Sequence, residues 1–188
     1  MRPEVERRLV HAAGAVFPLA YVSGVLTWTN TGRLLLLASA VALALEALRL
    51  SQRLELRIFD RLTREYEQDH LAGYALYVLS MTATAWLFSP AAAVPGMLML
   101  AVADPISGLL STGELRPIKR TFVLLAMFGV CTLLALPFVS SVPAILGGLA
   151  ATVADGVKPV VRGYVVDDNL TIPPAAAGAI TLGLRFAG

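Results

Sequence analysis

The chain has 188 residues, of which 57% are hydrophobic and 15% are charged, and its mean hydropathy is +0.72. Soluble domains carry about 25% charged and about 45–50% apolar residues, so this composition excludes an ordinary soluble domain and indicates an integral membrane protein. The formal net charge of +2 gives no reason to expect a nucleic-acid partner. With one cysteine, Cys131, the chain cannot form an internal disulfide or a cysteine-based metal site.

Apolar segments follow one another along the chain, separated by turn signals such as "TNTG", "STGELRP" and "SSVP". They lie at about residues 12–29, 34–50, 71–88, 91–112, 121–139, 142–164 and 170–187. Most have 17 to 23 residues, which suits helices that cross about 30 Å of hydrocarbon. The sequence therefore predicts an all-α polytopic membrane protein with about seven transmembrane helices, in a single domain over residues 1–188. The first segment lacks a convincing cleavage site, so we expect it to be a retained span.

Basic residues are distributed unevenly between the ends of these segments. If seven spans are assumed, thirteen of the fifteen lysines and arginines lie on one side of the membrane. Because loops rich in lysine and arginine stay in the cytosol, this asymmetry predicts a cytosolic N-terminus and an outside C-terminus. The longest polar stretch, residues 51–70, repeats Leu54, Ile58 and Leu62 at intervals of four. It predicts an amphipathic helix on the cytosolic surface, either as a linker attracted to anionic lipid or as part of a site.

Ionisable residues inside the predicted spans mark candidate functional positions. Each costs about 2.5–3.5 kcal/mol at the bilayer centre, and less near the surface. Glu46, Asp104, Asp155 and Lys158 lie within or at the ends of spans, and all four fall in the cytosolic half of the predicted topology. His11 and the run "VDDN" fall on the same side. This arrangement predicts a site that faces the cytosol, where nucleoside triphosphates are found.

The segment "AVADPISGLL" has the pattern of a helix start within the fourth span. Asp104 is a good N-cap, and Pro105 suits the first helical position. We therefore expect a break in this span, where free backbone N–H groups suit an anionic phosphate. Ser107 and Gly108 follow on the face of Asp104, and the glycine would let a ligand or another helix approach closely. The alternative is a kinked helix that binds no ligand.

Cations near these positions are candidates for contact with phosphate. Lys119 and Arg120 end the short cytosolic loop after the fourth span, and Arg162 lies in the next cytosolic region. They would balance the charge of a triphosphate, or they would serve only as signals of topology. Asp155 and Lys158 are three residues apart, so they either pair with each other or contribute to the same site.

The run "VDDNLTIP" places Asp167, Asp168 and Asn169 between apolar stretches. Carboxylate and amide oxygens are hard ligands, which hold Mg²⁺ together with substrate phosphates. Pro173 and Pro174 suit the first turn of the last span, so we expect "DDNLTI" to lie outside regular helix at the membrane surface. The alternative is an acidic turn with an asparagine cap.

Three of these segments together resemble the family of dolichol and phytol kinases, which is related in pattern to the phosphatidate cytidylyltransferases. "EVERRLVHAAG" at 4–14 resembles the start of the family's first span, "ADPISGLL" at 103–110 resembles its central motif, and "DDNLTIP" at 167–173 is the most specific match. "REYEQDHLAGY" at 64–74 adds a likeness to archaeal members. The chain departs from the family in the apolar continuation after Arg120 and in having Asp155 where glutamate is common.

The resemblance implies a kinase that transfers a γ-phosphoryl group, typically from CTP and with ATP as a possible donor, onto an isoprenoid alcohol. The carboxylates predict Mg²⁺ as the cofactor, and the distribution of basic residues predicts a site at the cytosolic face of the bilayer. The expected magnesium ligands are Asp104 and Asp168, helped by Asp167 and Asn169. The expected nucleotide contacts are Ser107, Gly108, Lys119 and Arg120 or Arg162. The proton of the lipid hydroxyl would pass to Asp155, Asp168 or His11.

Two other functions are compatible with the same residues. A cytidylyltransferase that makes a CDP-lipid would use the same metal and phosphate chemistry. A small transporter or scaffold would use Asp104, Asp155 and Lys158 as an ion path, and it predicts polar groups that continue into the outer half of the spans. Only scattered serine and threonine residues lie there, which favours an enzyme.

Overall fold

The computed structural model describes residues 3–51, 63, 70–111, 118–157, 160–161 and 164–187. Within these residues the helices are α1 Pro3–Ala13, α2 Val16–Val22, α3 Trp28–Leu50, α4 Gly73–Leu87, α5 Pro90–Leu98, α6 Asp104–Leu110, α7 Thr121–Ala135, α8 Ser141–Gly156 and α9 Asp168–Ala187. A π-helical turn, Met99–Ala103, joins α5 to α6. A two-residue hairpin pairs β1, Val160–Val161, with β2, Tyr164–Val165. Most of the predicted amphipathic segment at 51–70 lies outside the described residues, as do Lys158 and Arg162.

The prediction of an all-α architecture is confirmed for the described residues, apart from the short β1–β2 hairpin. Among them, Pro90–Leu110, which comprises α5, the π-helical turn and α6, is the one helix long and apolar enough to cross a membrane by length and composition. Three apolar helical stretches are shorter. They are Arg8–Val22, which covers part of α1 and all of α2, and the helices Thr121–Ala135 and Ser141–Gly156.

Four of the predicted segments have clearly different bounds in the structure. Helix α3 begins at Trp28 instead of residue 34, and α7 ends at Ala135 instead of residue 139. The segment predicted at 12–29 is divided, because α2 ends at Val22 and a turn with Gly24 at a φ of 76° leads to the start of α3. That φ lies in the left-handed region that glycine adopts at little cost. The segment predicted at 142–164 is wrong beyond Gly156, where α8 ends. Val157 is extended and forms an isolated antiparallel bridge with Ile118.

Helix α9 packs against α8, α4 and α5. Small residues permit these close contacts. A Cβ built on Gly96 of α5 would lie 2.8 Å from the carbonyl oxygen of Pro173 in α9, and one on Gly147 of α8 would lie 2.5 Å from Cγ1 of Ile180. Close backbone approach of this kind is typical of helix packing in membranes. It sets the position of Asp168, the first residue of α9.

Polar contacts hold α3 against α4. The hydroxyl groups of Ser39 and Thr82 are 2.7 Å apart, and both residues are buried. At the end of α3, the buried Glu46 accepts hydrogen bonds from Arg49 at 2.8 Å and from the backbone N–H of Ala72 at 2.9 Å. Because Ala72 immediately precedes α4, these bonds fix where that helix begins.

Candidate functional site

Three aspartates from distant parts of the chain converge at one place. One carboxylate oxygen from each of Asp104, Asp155 and Asp168 lies within 4.8 Å of the other two. Asp155 and Asp168 are 0% and 6% exposed, and Asp104 is partly buried. They come from α6, α8 and α9, so this aspartate cluster exists only in the folded chain. The structure brings together Asp104 and Asp168, the two expected magnesium ligands.

Asp155 is held by a cation and a hydroxyl group. Its Oδ1 lies 2.6 Å from Lys119 Nζ, and its Oδ2 accepts a hydrogen bond from Ser107 Oγ at 2.7 Å. Lys119 Nζ also donates to Ser107 Oγ at 3.0 Å. The backbone N–H of Lys119 donates to the carbonyl of Gly156 at 3.3 Å, which holds the residue beside the end of α8. Lys119, which was expected near Asp104, thus forms an ion pair with Asp155. Ser107 contacts both Lys119 and Asp155.

His11 reaches the cluster from α1. Its Nδ1 lies 3.6 Å from Asp104 Oδ2. Its ring lies edge-on to that of Tyr77, with 4.4 Å between the ring centroids, and the Tyr77 hydroxyl donates to the His11 carbonyl at 2.9 Å. The imidazole is therefore close to the aspartate cluster, and imidazoles are the commonest general bases in enzymes.

Arg8 occupies the space beside Gly108. Its guanidinium donates to the Gly108 carbonyl at 2.9 Å, and a Cβ built on Gly108 would lie 3.4 Å from Arg8 Nε. The close approach expected at Gly108 is therefore made by this arginine of α1, one turn before His11. From its place in the basic pair of the first motif, Arg8 was expected as a substrate-gate residue or a signal of topology, and not among the metal, nucleotide or catalytic residues.

An α-helical segment, α6, does begin at Asp104, but the expected break in the span, with Asp104 as N-cap, is wrong. Ala103 is helical, with φ −73° and ψ −37°, and the backbone N–H of Asp104 bonds to the carbonyl of Met99. The helix widens into a π-helical turn just before Pro105. This turn shifts the register of the backbone hydrogen bonds ahead of the proline ring, so the helix continues without a break. Because the helix is continuous here, Asp104 is not at a helix N-terminus with unpaired backbone N–H groups that would suit a phosphate.

The expectation for "DDNLTI" is also wrong, because α9 begins at Asp168 and contains Pro173 and Pro174. Asp167 Oδ1 accepts hydrogen bonds from the backbone N–H of Asn169 at 2.8 Å and from its side-chain Nδ2 at 2.6 Å. Asp167 therefore acts as the N-cap, which leaves Asp168 in the first turn. The helix N-terminus at the cluster belongs to α9 instead of α6, and its dipole favours negative charge there.

The two remaining metal candidates differ in their surroundings. Asp167 is the cap of α9, outside the three-aspartate group. Asn169 Oδ1 is buried and accepts no hydrogen bond from the described residues. A buried amide oxygen without a donor suits a cation or a bound hydroxyl group. Of the cationic candidates other than Lys119, Arg120 is exposed just before α7, and Arg162 lies outside the described residues.

Two residues that sequence reasoning missed support the site from α4. Ser80 Oγ lies 2.6 Å from the carbonyl oxygen of Asn169 and 2.9 Å from that of Tyr77. Tyr77 contacts His11 as described above. Both are polar side chains in the third predicted span, and both are buried. Hydroxyl groups inside an otherwise apolar segment are the feature by which Tyr77 and Ser80 could have been predicted as site residues.

The arrangement has the donor set of a divalent-cation site. Carboxylate oxygens from three helices suit Mg²⁺, which uses one or two carboxylates and completes its shell with water and substrate phosphates. Lys119 adds a cation beside the same oxygens. Comparison of the chain with protein families, with curated proteins and with solved structures finds no match in any of the three.

Proposed function

We propose that this protein is a membrane-embedded phosphotransferase, which moves the γ-phosphoryl group of a nucleoside triphosphate onto the hydroxyl of an isoprenoid alcohol. CTP is the proposed donor, as the resemblance implies, and ATP is the alternative. The observation that carries the proposal is the aspartate cluster with Lys119 beside it. Phosphoryl transfer needs positioning and charge neutralisation more than covalent chemistry, and this set of residues supplies both.

In this proposal Asp104 and Asp168 hold Mg²⁺, and the N-terminus of α9 adds a favourable dipole for the phosphates. The metal, when bound, neutralises charge on the phosphates during transfer. Asp155 keeps Lys119 directed into the cluster through their 2.6 Å contact. Ser107, bonded to both, fixes their mutual geometry. Lys119 is then the chain's own cation for the γ-phosphate.

His11 is the proposed acceptor of the proton from the lipid hydroxyl. Both Asp155 oxygens already have partners in Lys119 and Ser107, and Asp168 is assigned to the metal. His11 Nδ1 lies 3.6 Å from Asp104, and the Tyr77 hydroxyl holds the His11 backbone through its carbonyl oxygen. An imidazole ring nitrogen can accept a proton, which suits a general base.

We further propose that the helices form seven membrane-crossing segments, with α1 and α2 counted as one and α5 and α6 as another. Large apolar side chains on the helix surfaces support this, for example Leu87, Leu133 and Phe186, which are 73%, 67% and 86% exposed. Contiguous exposed apolar surface is rare in soluble monomers. The distribution of basic residues then places the cluster toward the cytosol.

The experiment that tests the function follows two differently labelled donors. Membranes that contain the protein are incubated with a polyprenol, phosphatidic acid and CTP labelled at either the α or the γ phosphate. Transfer of the γ label alone to the lipid extract is the expected result. Transfer of the α label would identify a cytidylyltransferase instead. Transfer of neither, also with labelled ATP, would contradict both enzymes and favour a transporter or scaffold.

A further inference from the structure

Both tryptophans of the chain lie at one end of the bundle, which is called the aromatic end below. Trp28 begins α3, and Trp86, which is 60% exposed, lies in the last turn of α4. The Trp86 Nε1–H donates to the carbonyl of Gly32 at 3.2 Å, one turn along α3 from Trp28. Tyr21 packs against Trp28, with 5.0 Å between their ring centroids. Tryptophan and tyrosine concentrate where hydrocarbon meets the headgroups of a bilayer, so we expect the aromatic end at one edge of the membrane.

The aspartate cluster lies about 20 Å from the aromatic end, as measured along a helix. The continuous helix Pro90–Leu110 begins four residues after Trp86 and reaches Asp104 fourteen residues later. At about 1.5 Å per residue, that separation is about 20 Å, and the whole helix is about 30 Å long. The hydrocarbon layer is also about 30 Å thick, so a helix that starts at one edge ends at the other. Asp104 then lies about 10 Å inside the second edge.

Three helices end at the level of the cluster. Helix α8 ends at Gly156, immediately after Asp155, and α9 begins at Asp168. The backbone N–H of Lys119 bonds to the Gly156 carbonyl, and α7 begins two residues later, at Thr121. Because Asp155 and Asp168 belong to the cluster, the chain leaves regular helix at that level on this side of the bundle.

The neighbouring helices continue beyond the cluster. The helix Pro90–Leu110 extends six residues past Asp104. Ser80 of α4 donates to the carbonyl of Asn169 in the first turn of α9, and α4 begins seven residues before Ser80, at Gly73. Each extension is about 10 Å long. The ends of α7, α8 and α9 at the cluster are therefore set back by that distance from the ends of their neighbours.

The chain between these helix ends needs polar surroundings. Val157 is extended and pairs with Ile118 in an isolated bridge, and both residues are exposed. Arg120, just before α7, is exposed as well. Non-helical backbone at membrane depth occurs only where protein covers it or where it lines a water-filled cavity, and an exposed guanidinium is costly in lipid. The exposure of these three residues therefore favours water around them over lipid.

We propose that the aspartate cluster lies about 10 Å inside the cytosolic edge of the hydrocarbon layer, on the floor of a recess that is open to cytosolic water. The inference rests on the proposed function and its membrane topology. The set-back ends of α7, α8 and α9 form the recess. A triphosphate reaches the metal ligands through water, and the hydroxyl of a lipid acceptor meets them without leaving the bilayer.

Fluorescence quenching by brominated lipids measures the depth without requiring catalysis. Phe122 and Leu133 of α7 are 50% and 67% exposed, and their spacing of eleven residues, about three turns, puts them on one face about 16 Å apart. Each is replaced by tryptophan in a Trp28→Phe, Trp86→Phe background, and the protein is reconstituted in phosphatidylcholine brominated either near the carbonyl or near the chain end. We expect Phe122→Trp to be quenched more by the deep bromine. Leu133→Trp, and the two native tryptophans of the wild type, should be quenched more by the shallow bromine. The opposite order, or no difference between the two positions, would overturn the proposed depth.

Thiol labelling tests the access of water separately from the depth. In a Cys131→Ser background, Arg120→Cys, two residues before Phe122, should react with a charged methanethiosulfonate in permeabilised cells, because a thiol reacts as its thiolate. Leu125→Cys, at a position that is 65% exposed on α7, is the matched control and should not react. An unreactive Arg120→Cys would show that the recess is closed, and a reactive Leu125→Cys would place α7 in water. Either result would overturn the proposal.

These measurements separate the placement of the cluster from the proposed function. If quenching and labelling are as expected but no γ-phosphoryl group is transferred, the proposed function fails and the placement stands. If transfer occurs and the quenching order is reversed, the placement fails alone.

Discussion

At the residue scale, the two adjacent aspartates before the last helix have different roles. Asp168 joins the cluster with Asp104 and Asp155, whereas Asp167 caps α9. Adjacent residues at a helix start point in different directions. Both side chains accept a hydrogen bond from the Asn169 backbone N–H, Asp167 at 2.8 Å and Asp168 at 3.1 Å, and Asp168 also places an oxygen within 4.8 Å of Asp104 and Asp155. Asp167 and Asp168 look equivalent in the sequence, but α9 begins between them, so Asp167 is the cap and Asp168 is in the first turn.

This difference predicts unequal effects of the same substitution. Asp168→Asn should lower phosphoryl transfer by about 10²–10³-fold, the usual loss when an electrostatic contact to the transition state is removed. Asp167→Asn should retain most activity, because asparagine caps a helix about as well as aspartate. Transfer of γ-labelled phosphate by purified protein measures both. Equal losses in the two variants would contradict the separate roles.

His11 allows a similar test with its own control. His11→Gln should lower kcat by about 10²–10⁴-fold while leaving KM for the nucleotide nearly unchanged, because only proton transfer is lost. His70→Gln, at an exposed position, should behave like the wild type. The proton-acceptor role would be refuted if His11→Gln kept full kcat at saturating alcohol.

The contribution of the Lys119–Asp155 ion pair to stability can be separated from its contribution to phosphoryl transfer. Lys119→Met leaves the buried Asp155 without its cation and should destabilise the protein by about 3–5 kcal/mol. Adding Asp155→Leu should restore much of that stability but no phosphoryl transfer. Thermal unfolding and transfer assays on the single and double variants measure the two effects. Restored transfer in the double variant would show that the pair is only structural.

At the element scale, the close contact between α5 and α9 sets the distance between Asp104 and Asp168. Gly96→Ala would place a methyl group 2.8 Å from the Pro173 carbonyl oxygen, and backbone must move to relieve it. We expect a loss of about 1–3 kcal/mol in unfolding free energy, together with weaker Mn²⁺ binding. Gly129→Ala, with no atom within 4 Å of the added Cβ, is the control and should not weaken either property. Unchanged Mn²⁺ affinity in Gly96→Ala would contradict this role of the contact.

The elements show which parts of the fold could be predicted from the sequence. Hydrophobic segments identified α3, α4, α7 and the Pro90–Leu110 helix, because length and apolar composition report directly on helices of this kind. Local signals failed to predict that the helix continues into Asp104 through a π-helical turn and that α9 begins at Asp168, before Pro173 and Pro174. Asp104, Asp155 and Asp168 were recognisable as candidates because carboxylates are costly inside apolar segments. The Lys119–Asp155 and Arg8–Gly108 contacts depend on how distant helices pack, which no local pattern specifies.

At the scale of the whole molecule, the proposed topology places the turns before α5 and α8 outside and the start of α7 in the cytosol. In a Cys131→Ser background, a cysteine at Ser140 should react with a membrane-impermeant maleimide in intact cells. A cysteine at Arg120, which is exposed, should react only after permeabilisation. The reverse pattern would place the aspartate cluster at the outer face, away from cytosolic nucleotides.

The most direct test of the account is electron paramagnetic resonance of Mn²⁺ bound to the purified protein with CTP. Wild-type protein and Asp167→Asn should bind the ion with hyperfine coupling to nucleotide phosphorus. The bound signal should be lost in Asp104→Asn and in Asp168→Asn, provided that both variants keep the wild-type unfolding temperature. Binding that is equal in all four proteins, or absent from the wild type, would contradict the claim that three distant helices build a cation–nucleotide site.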